Sequence, residues 1–105
     1  MRVQLKRDKK VPLVFDGELI AEVSTKHRRD RWTELRLYRL PMTAGVEYVA
    51  EQVGATSVDG ELDRCTAFAC HNAADVRRVI GTGPLARQLY KEAGFDGVED
   101  LTRKP

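Results

Sequence analysis

The alternation of apolar and polar positions divides the chain into a β-patterned first two thirds and a helix-patterned last third. Val3 and Leu5 alternate with Gln4 and Lys6 before a charge run, so residues 1–10 read as a short edge strand or a basic N-terminal arm. The run VPLVF, the pair Asp16-Gly17 and the run ELIAEVSTK then read as a hairpin around a two-residue turn, a turn type that needs positive φ. That register sets Val14 opposite Leu19 and Pro12 opposite Ala21, and Val23 continues the same apolar face. Because Pro12 has no N–H to donate, it belongs at an edge or at the start of a strand.

Residues 26–32, KHRRDRW, form a polar connection to TELRLYRL, where Leu35 and Leu37 alternate with Arg36 and Tyr38. Pro41 to Gly45 interrupt the alternation and VEYVAEQV resumes it; a turn there pairs Leu40 with Val46, Arg39 with Glu47, Tyr38 with Tyr48 and Leu37 with Val49. Gly54 to Gly60 are turn-rich, and RCTAFAC is the last strand.

The period then changes to that of a helix. Asn72 followed by Asp75 has the spacing of an N-cap with an acidic partner, and Ala73, Val76, Val79 and Ile80 share one helical face that stops at Gly81. Gly83-Pro84 opens a second helix, Leu85, Ala86, Leu89, Tyr90 and Ala93 form its apolar stripe, and Gly94 closes it. Both helices fall short of the ~12 to 15 residues at which isolated helices become marginal, so they must pack on the sheet. Strands first and helices last predict an α+β fold: an antiparallel β-meander of four to five strands followed by two short C-terminal helices packed on one face. The expectation is a single domain over residues 1–105 with a frayed tail over 98–105.

With 42% hydrophobic and 32% charged residues, the composition is that of a globular chain rather than a disordered one, and 105 residues suffice to bury a core without metal or disulfide. No apolar run is long enough for a bilayer and none follows the N-terminal charges, so no membrane partner is expected and the cytoplasm is the expected location.

Charge is uneven: residues 1–40 hold eleven Lys or Arg against six Asp or Glu, and residues 41–105 hold seven against ten. Such segregation can steer a charged partner. The densest patch is Lys26, Arg28, Arg29 and Arg31 with Trp32 at its end; fork-shaped guanidinium groups suit phosphates, and an indole can stack on an unpaired base. Lys9 and Lys10 extend the patch if the sheet brings the two clusters together. The structural alternative makes Trp32 a hairpin core anchor and the arginines a solvated connection, with Asp30 pairing one of them.

Other chemistry is poorly represented. Cys65 and Cys70 are an odd number of residues apart on a strand, hence on opposite faces, and with His71 they lack the spacing of a zinc site. Gly81-Thr82-Gly83 follows a helix, not the strand that a phosphate-binding loop requires. Glu18 and Glu22 share a strand face but stand ~13 Å apart, too far to act on one bond. His27 and His71 are the only histidines, and they occur in unlike contexts. The expectation is therefore a small non-catalytic, cofactor-free binding domain that engages nucleic acid through its basic first half. The alternative is a protein-binding inhibitor or adaptor of the phage or mobile-element type.

Overall fold

A computed structural model describes residues 1–25, 30–43 and 45–95. Six strands precede two helices: β1 (Arg2–Leu5), β2 (Leu13–Asp16), β3 (Glu18–Ser24), β4 (Arg31–Thr43), β5 (Val46–Thr56), β6 (Arg64–Cys70), α1 (Ala73–Ile80) and α2 (Pro84–Ala93). Strands β3 to β6 form an antiparallel meander in chain order, and β1 pairs with β2 in a separate two-stranded sheet. The fold is α+β, with both helices on one face of the four-stranded sheet.

Strand alternation builds two cores. On the helix side, Ala21, Leu35, Leu37, Tyr48, Ala50 and Cys70 pack with Val76, Ala86, Leu89, Tyr90 and Phe95. On the other side, Val49 and Ala67 are covered by Leu5, with Val3, Leu13 and Phe15 of the β1–β2 hairpin and Tyr38 and Leu40 of β4 around them. Phe15 meets Tyr38 edge-on at 5.3 Å between ring centroids, an arrangement that the ring quadrupoles favour.

The hairpin is not the one that Asp16-Gly17 suggests. β2 pairs backwards with β1, Arg2 against Asp16 through Leu5 against Leu13. β3 pairs with β4 instead, so the Val14–Leu19 and Pro12–Ala21 pairs do not form. The reversal occurs before β2, where Lys9 takes a positive φ of 60°. Gly17 does not adopt positive φ; its N–H donates to the Met1 carbonyl at 2.8 Å. Glycine is needed there for space, since a Cβ would fall 2.9 Å from the Phe15 ring and 3.1 Å from the Arg39 carbonyl oxygen. Pairing β1 with β2 puts Val3, Leu5, Leu13 and Phe15 on one surface and buries it, and non-local burial outweighs a local turn preference.

The β4–β5 register also differs from the expected one, by one residue: Arg39 faces Tyr48, Tyr38 faces Val49 and Leu37 faces Ala50. A register shift between Arg39 and Thr43 absorbs two extra residues on β4, and Gly45 turns the chain at φ 76°. The observed pairing keeps Leu37 and Ala50 together on the helix side and Tyr38 and Val49 together on the hairpin side. A slip of one would mix the two faces.

The helices follow the sequence pattern. Asn72 accepts the Asp75 N–H at 2.9 Å, and the Asp75 carboxylate accepts the His71 N–H at 3.0 Å. Pro84 occupies the first turn of α2 and Gly94 ends it in the left-handed region. The Arg77 guanidinium lies 5.6 Å from the centroids of both Tyr90 and Phe95 and donates to the Phe95 carbonyl at 3.1 Å, which ties the chain after α2 back onto α1. Cys65 and Cys70 are both free and buried, Cys70 in the helix-side core and Cys65 in a smaller cluster with Val53 and Ala55 on the opposite face, as their odd spacing requires.

Each outer strand of the meander has a carboxylate on its free edge. Asp8 accepts the Cys65 N–H at 3.1 Å and its own N–H donates to the Cys65 carbonyl, while Glu92 accepts the Glu22 N–H at 2.9 Å. A charge on an exposed strand edge discourages pairing with another chain.

Candidate nucleic-acid interface

The helix side of the meander is open at one end, where Gln52, Arg64 and Thr66 are exposed although they share the parity of buried Ala50 and Cys70. Thr33 and Gly54 face each other there, and Gly54 in turn faces Arg64. Around Gly54 lies a hollow of about 740 Å³ bounded by Thr25, Arg31, Thr33, Thr56 and Arg64, with Trp32 and Ala55 reaching it from the opposite face and Glu61 and Leu62 of the β5–β6 connection on its wall. Leu62 is 85% exposed at this rim.

Several hydrogen bonds hold the wall in place. The Ser57 N–H donates to the Asp30 carbonyl at 2.9 Å, the Val58 N–H to the Thr56 hydroxyl at 3.0 Å, and the Thr56 N–H to Asp63 at 3.0 Å. Arg31 makes a two-pronged contact with Glu61: Nε donates to Oε1 at 3.1 Å and Nη2 donates to Oε2. The Thr56 hydroxyl also donates to Glu61 Oε1, at 2.7 Å. Hydrogen bonds from Arg31 and Thr56 hold the Glu61 carboxyl below its ordinary range, and Arg64 adds to the effect. The partner of Arg31 is thus Glu61, thirty positions away, rather than its neighbour Asp30.

Strand alternation separates two residues that the sequence placed in one patch. Arg31 and Thr33 share the helix side with Leu35 and Leu37, whereas Trp32, Glu34, Arg36 and Tyr38 lie on the other. Trp32 borders the hollow, but its half-buried ring packs against the Val53, Ala55 and Cys65 cluster, and Nε1–H donates to Glu34 Oε2 at 2.7 Å. Lys26, Arg28 and Arg29 lie outside the described residues; they join Thr25, on the hollow, to Asp30, hydrogen-bonded to its wall. Lys9 and Lys10 are exposed at the tip of the β1–β2 hairpin, beside Asp8, which grips Cys65 next to Arg64. The sheet therefore brings this tip towards the same end as Arg31, about three strand spacings (~14 Å) across.

A polar seam runs from Trp32 along the opposite face. Arg36 donates through Nε to Glu22 at 2.6 Å, through Nη2 to Glu34 at 2.5 Å and through Nη1 to Glu51 at 3.4 Å. Burial disfavours charge on Arg36, but these carboxylates outweigh it and raise its pKa. Glu51 is only 7% exposed and has the longest of the three contacts, so for it burial wins and its pKa is raised. A carboxyl whose folded pKa exceeds its unfolded value stabilises fully below the unfolded pKa and loses that contribution as pH rises through the folded one. Glu51→Gln, which keeps acceptors for Arg36 and Tyr38, should match the native protein in thermal melts at pH 4 and be the more stable at pH 7. A native protein that gains on the variant with rising pH would show that Arg36, rather than burial, governs Glu51.

Among the described residues no group of three His, Cys, Asp or Glu side chains is placed to hold a metal ion. The residues that sequence reasoning missed are Gly54, Thr56, Glu61 and Arg64. The signal for them was the meander itself, since a strand paired with Arg31 must end near residues 54–61. Comparison with protein-family models, with curated proteins and with solved structures gives no match.

Proposed function

We propose that the protein is a small non-catalytic domain that binds nucleic acid through the open end of its sheet. The observation that carries this reading is the hollow itself: Arg31 and Arg64 flank a floor of Thr33 and Gly54, and the Lys9-Lys10 tip stands beyond β6; in sequence, Lys26, Arg28 and Arg29 follow Thr25 of its lining. Hydroxyl and guanidinium donors among the lining residues suit a sugar-phosphate backbone, which carries affinity rather than sequence preference. Arginine forks grip such oxygens in pairs.

Salt dependence tests the reading. With three phosphates neutralised, the slope of log affinity against log salt on a duplex is expected to be about −3. Replacing Arg28, Arg29 and Arg31 together by Ala should flatten the slope by about 2 while the thermal transition stays in place. Fluorescence anisotropy of labelled duplex and single-stranded oligonucleotides at ~50 to 300 mM salt reads both quantities. An unchanged affinity in the triple variant would remove the hollow from the interface.

A second reading, a protein-binding adaptor or inhibitor, rests on a different place. A hollow of about 630 Å³ lies between β1 and β3, lined by Met1, Val3, Leu19 and Tyr38 among others, and Leu19 and Val14 are 46% and 45% exposed. Binding there would depend little on salt and strongly on Leu19, which separates the two readings.

A further inference from the structure

The Glu61 carboxylate sits in a setting with the donors of an anion site. Three donors converge on it: Nε and Nη2 of Arg31 and the Thr56 hydroxyl. Arg64 stands near enough to favour its charge. All of this is at the surface, with the Arg31 and Glu61 side chains 66% and 36% exposed, so the carboxylate is held by contacts that solvent already reaches. A phosphate group offers the same pair of oxygens to a guanidinium fork. Glu61 belongs to the connection between β5 and β6, outside the paired residues of either strand, so rotation of its side chain alone vacates the donors while the backbone hydrogen bonds of the connection stay in place.

We propose that Arg31, Thr56 and Arg64 form a phosphodiester subsite that Glu61 fills in the free protein and vacates when nucleic acid binds. The inference rests on the nucleic-acid reading above and adds the place of one phosphate and the group that competes for it. The protein therefore binds more weakly than its basic residues allow, and Glu61 sets how much more weakly. The surrounding donors lower the Glu61 pKa and so favour the ionised form that competes with phosphate.

The test uses four proteins, native, Glu61→Gln, Arg31→Ala and the double variant, with anisotropy of a labelled single-stranded 12-mer. Gln keeps an acceptor for Thr56 and Arg31 but loses the charge that competes with phosphate. Glu61→Gln is expected to bind about three- to tenfold tighter at low salt, with a single-strand salt slope that stays within about 0.7 of the native one, the contribution of one phosphate, because the same phosphate fills the subsite in both complexes. Loss of one negative charge alone would tighten binding equally whether or not Arg31 is present. The subsite instead requires that the gain fall below about twofold in the Arg31→Ala background. An equal gain in both backgrounds, or binding by the native protein with no gain from Glu61→Gln, overturns the subsite and leaves the nucleic-acid reading standing. No binding by any of the four removes both. Competition by inorganic phosphate and by a dinucleotide distinguishes the source: displacement of the 12-mer by the dinucleotide at concentrations where phosphate is inert is the expected result. Equal competition by inorganic phosphate would show a general anion site and overturn the phosphodiester assignment.

Discussion

Leu89→Ala is expected to destabilise the protein by about 2 to 5 kcal/mol, the range for truncating a fully buried leucine. Leu89 is 0% exposed and belongs to the cluster that joins α2 to Ala21, Leu35 and Leu37 of the sheet. Helix α2 has little to hold it otherwise: it has ten residues, and Gly83 at its N-cap offers no side-chain acceptor. Its first turn is tied down from the far side, by the Arg87 Nε–H to the Thr82 carbonyl at 3.2 Å and the Tyr90 hydroxyl to the Gly81 carbonyl. Those bonds survive the substitution, so the loss reports packing. Denaturant unfolding should show a lower midpoint at unchanged slope, the signature of a stability change without a change in exposed area. Leu85→Ala, at a half-buried position on the same helix, should cost less. A loss below about half a kcal/mol at Leu89 would mean that α2 does not dock on the sheet through this face.

The helices were legible in the sequence because their signals are local. Asn72 with Asp75, Pro84 at a first turn and Gly94 at an end each act within four residues, and the structure uses all three as written. The strands were legible as strands but not as partners. Asp16-Gly17 has the composition of a tight turn, yet its residues join two different sheets, because the partner of β2 is decided by where Val3, Leu5, Leu13 and Phe15 can be buried together. The one-residue error in the β4–β5 register has a similar origin. Pro41 reads as punctuation, but β4 continues through it and takes up two extra residues in an irregularity before Thr43. No local pattern announces that irregularity, whereas two buried faces enforce it.

The candidate site was half legible for the same reason. Density of arginine marked the segment from Lys26 to Arg31, but the residues that decide how Arg31 behaves, Thr56 and Glu61, reach it only through strand pairing. Alternation, by contrast, was available from the outset. Consecutive residues on a strand face opposite ways, so Arg31 and Trp32 reach the hollow from opposite faces of the sheet.

That separation makes Trp32→Ala informative, and the expected result is a loss of stability with no loss of binding. The ring is half-buried against Val53, Ala55 and Cys65, so truncation should cost less than the ~3 to 5 kcal/mol of a fully buried tryptophan, about 2 kcal/mol. The loss includes the indole N–H to Glu34, a bond that Glu34 can partly forgo because it also holds Arg36 at 2.5 Å. Trp32→Phe should therefore recover most of the packing and cost about 1 kcal/mol, the net worth of a hydrogen bond to a charged acceptor after partial compensation. Oligonucleotide affinity should stay within twofold in both variants, because the indole, although it borders the hollow, has its N–H committed to Glu34 and its ring packed against Val53, Ala55 and Cys65. Trp32 is the only tryptophan, so intrinsic fluorescence reports it alone. Its emission should be blue-shifted from that of free indole and indifferent to single-stranded oligonucleotides. Quenching on binding, together with a ~1 to 3 kcal/mol loss of affinity in Trp32→Ala, would be the behaviour of a stacking platform and would move the interface to the Glu34 and Arg36 face. That face carries Glu22, Glu34 and Glu51 around a single arginine, an arrangement that repels a phosphate backbone, and the charge pattern and the packing of the ring point the same way.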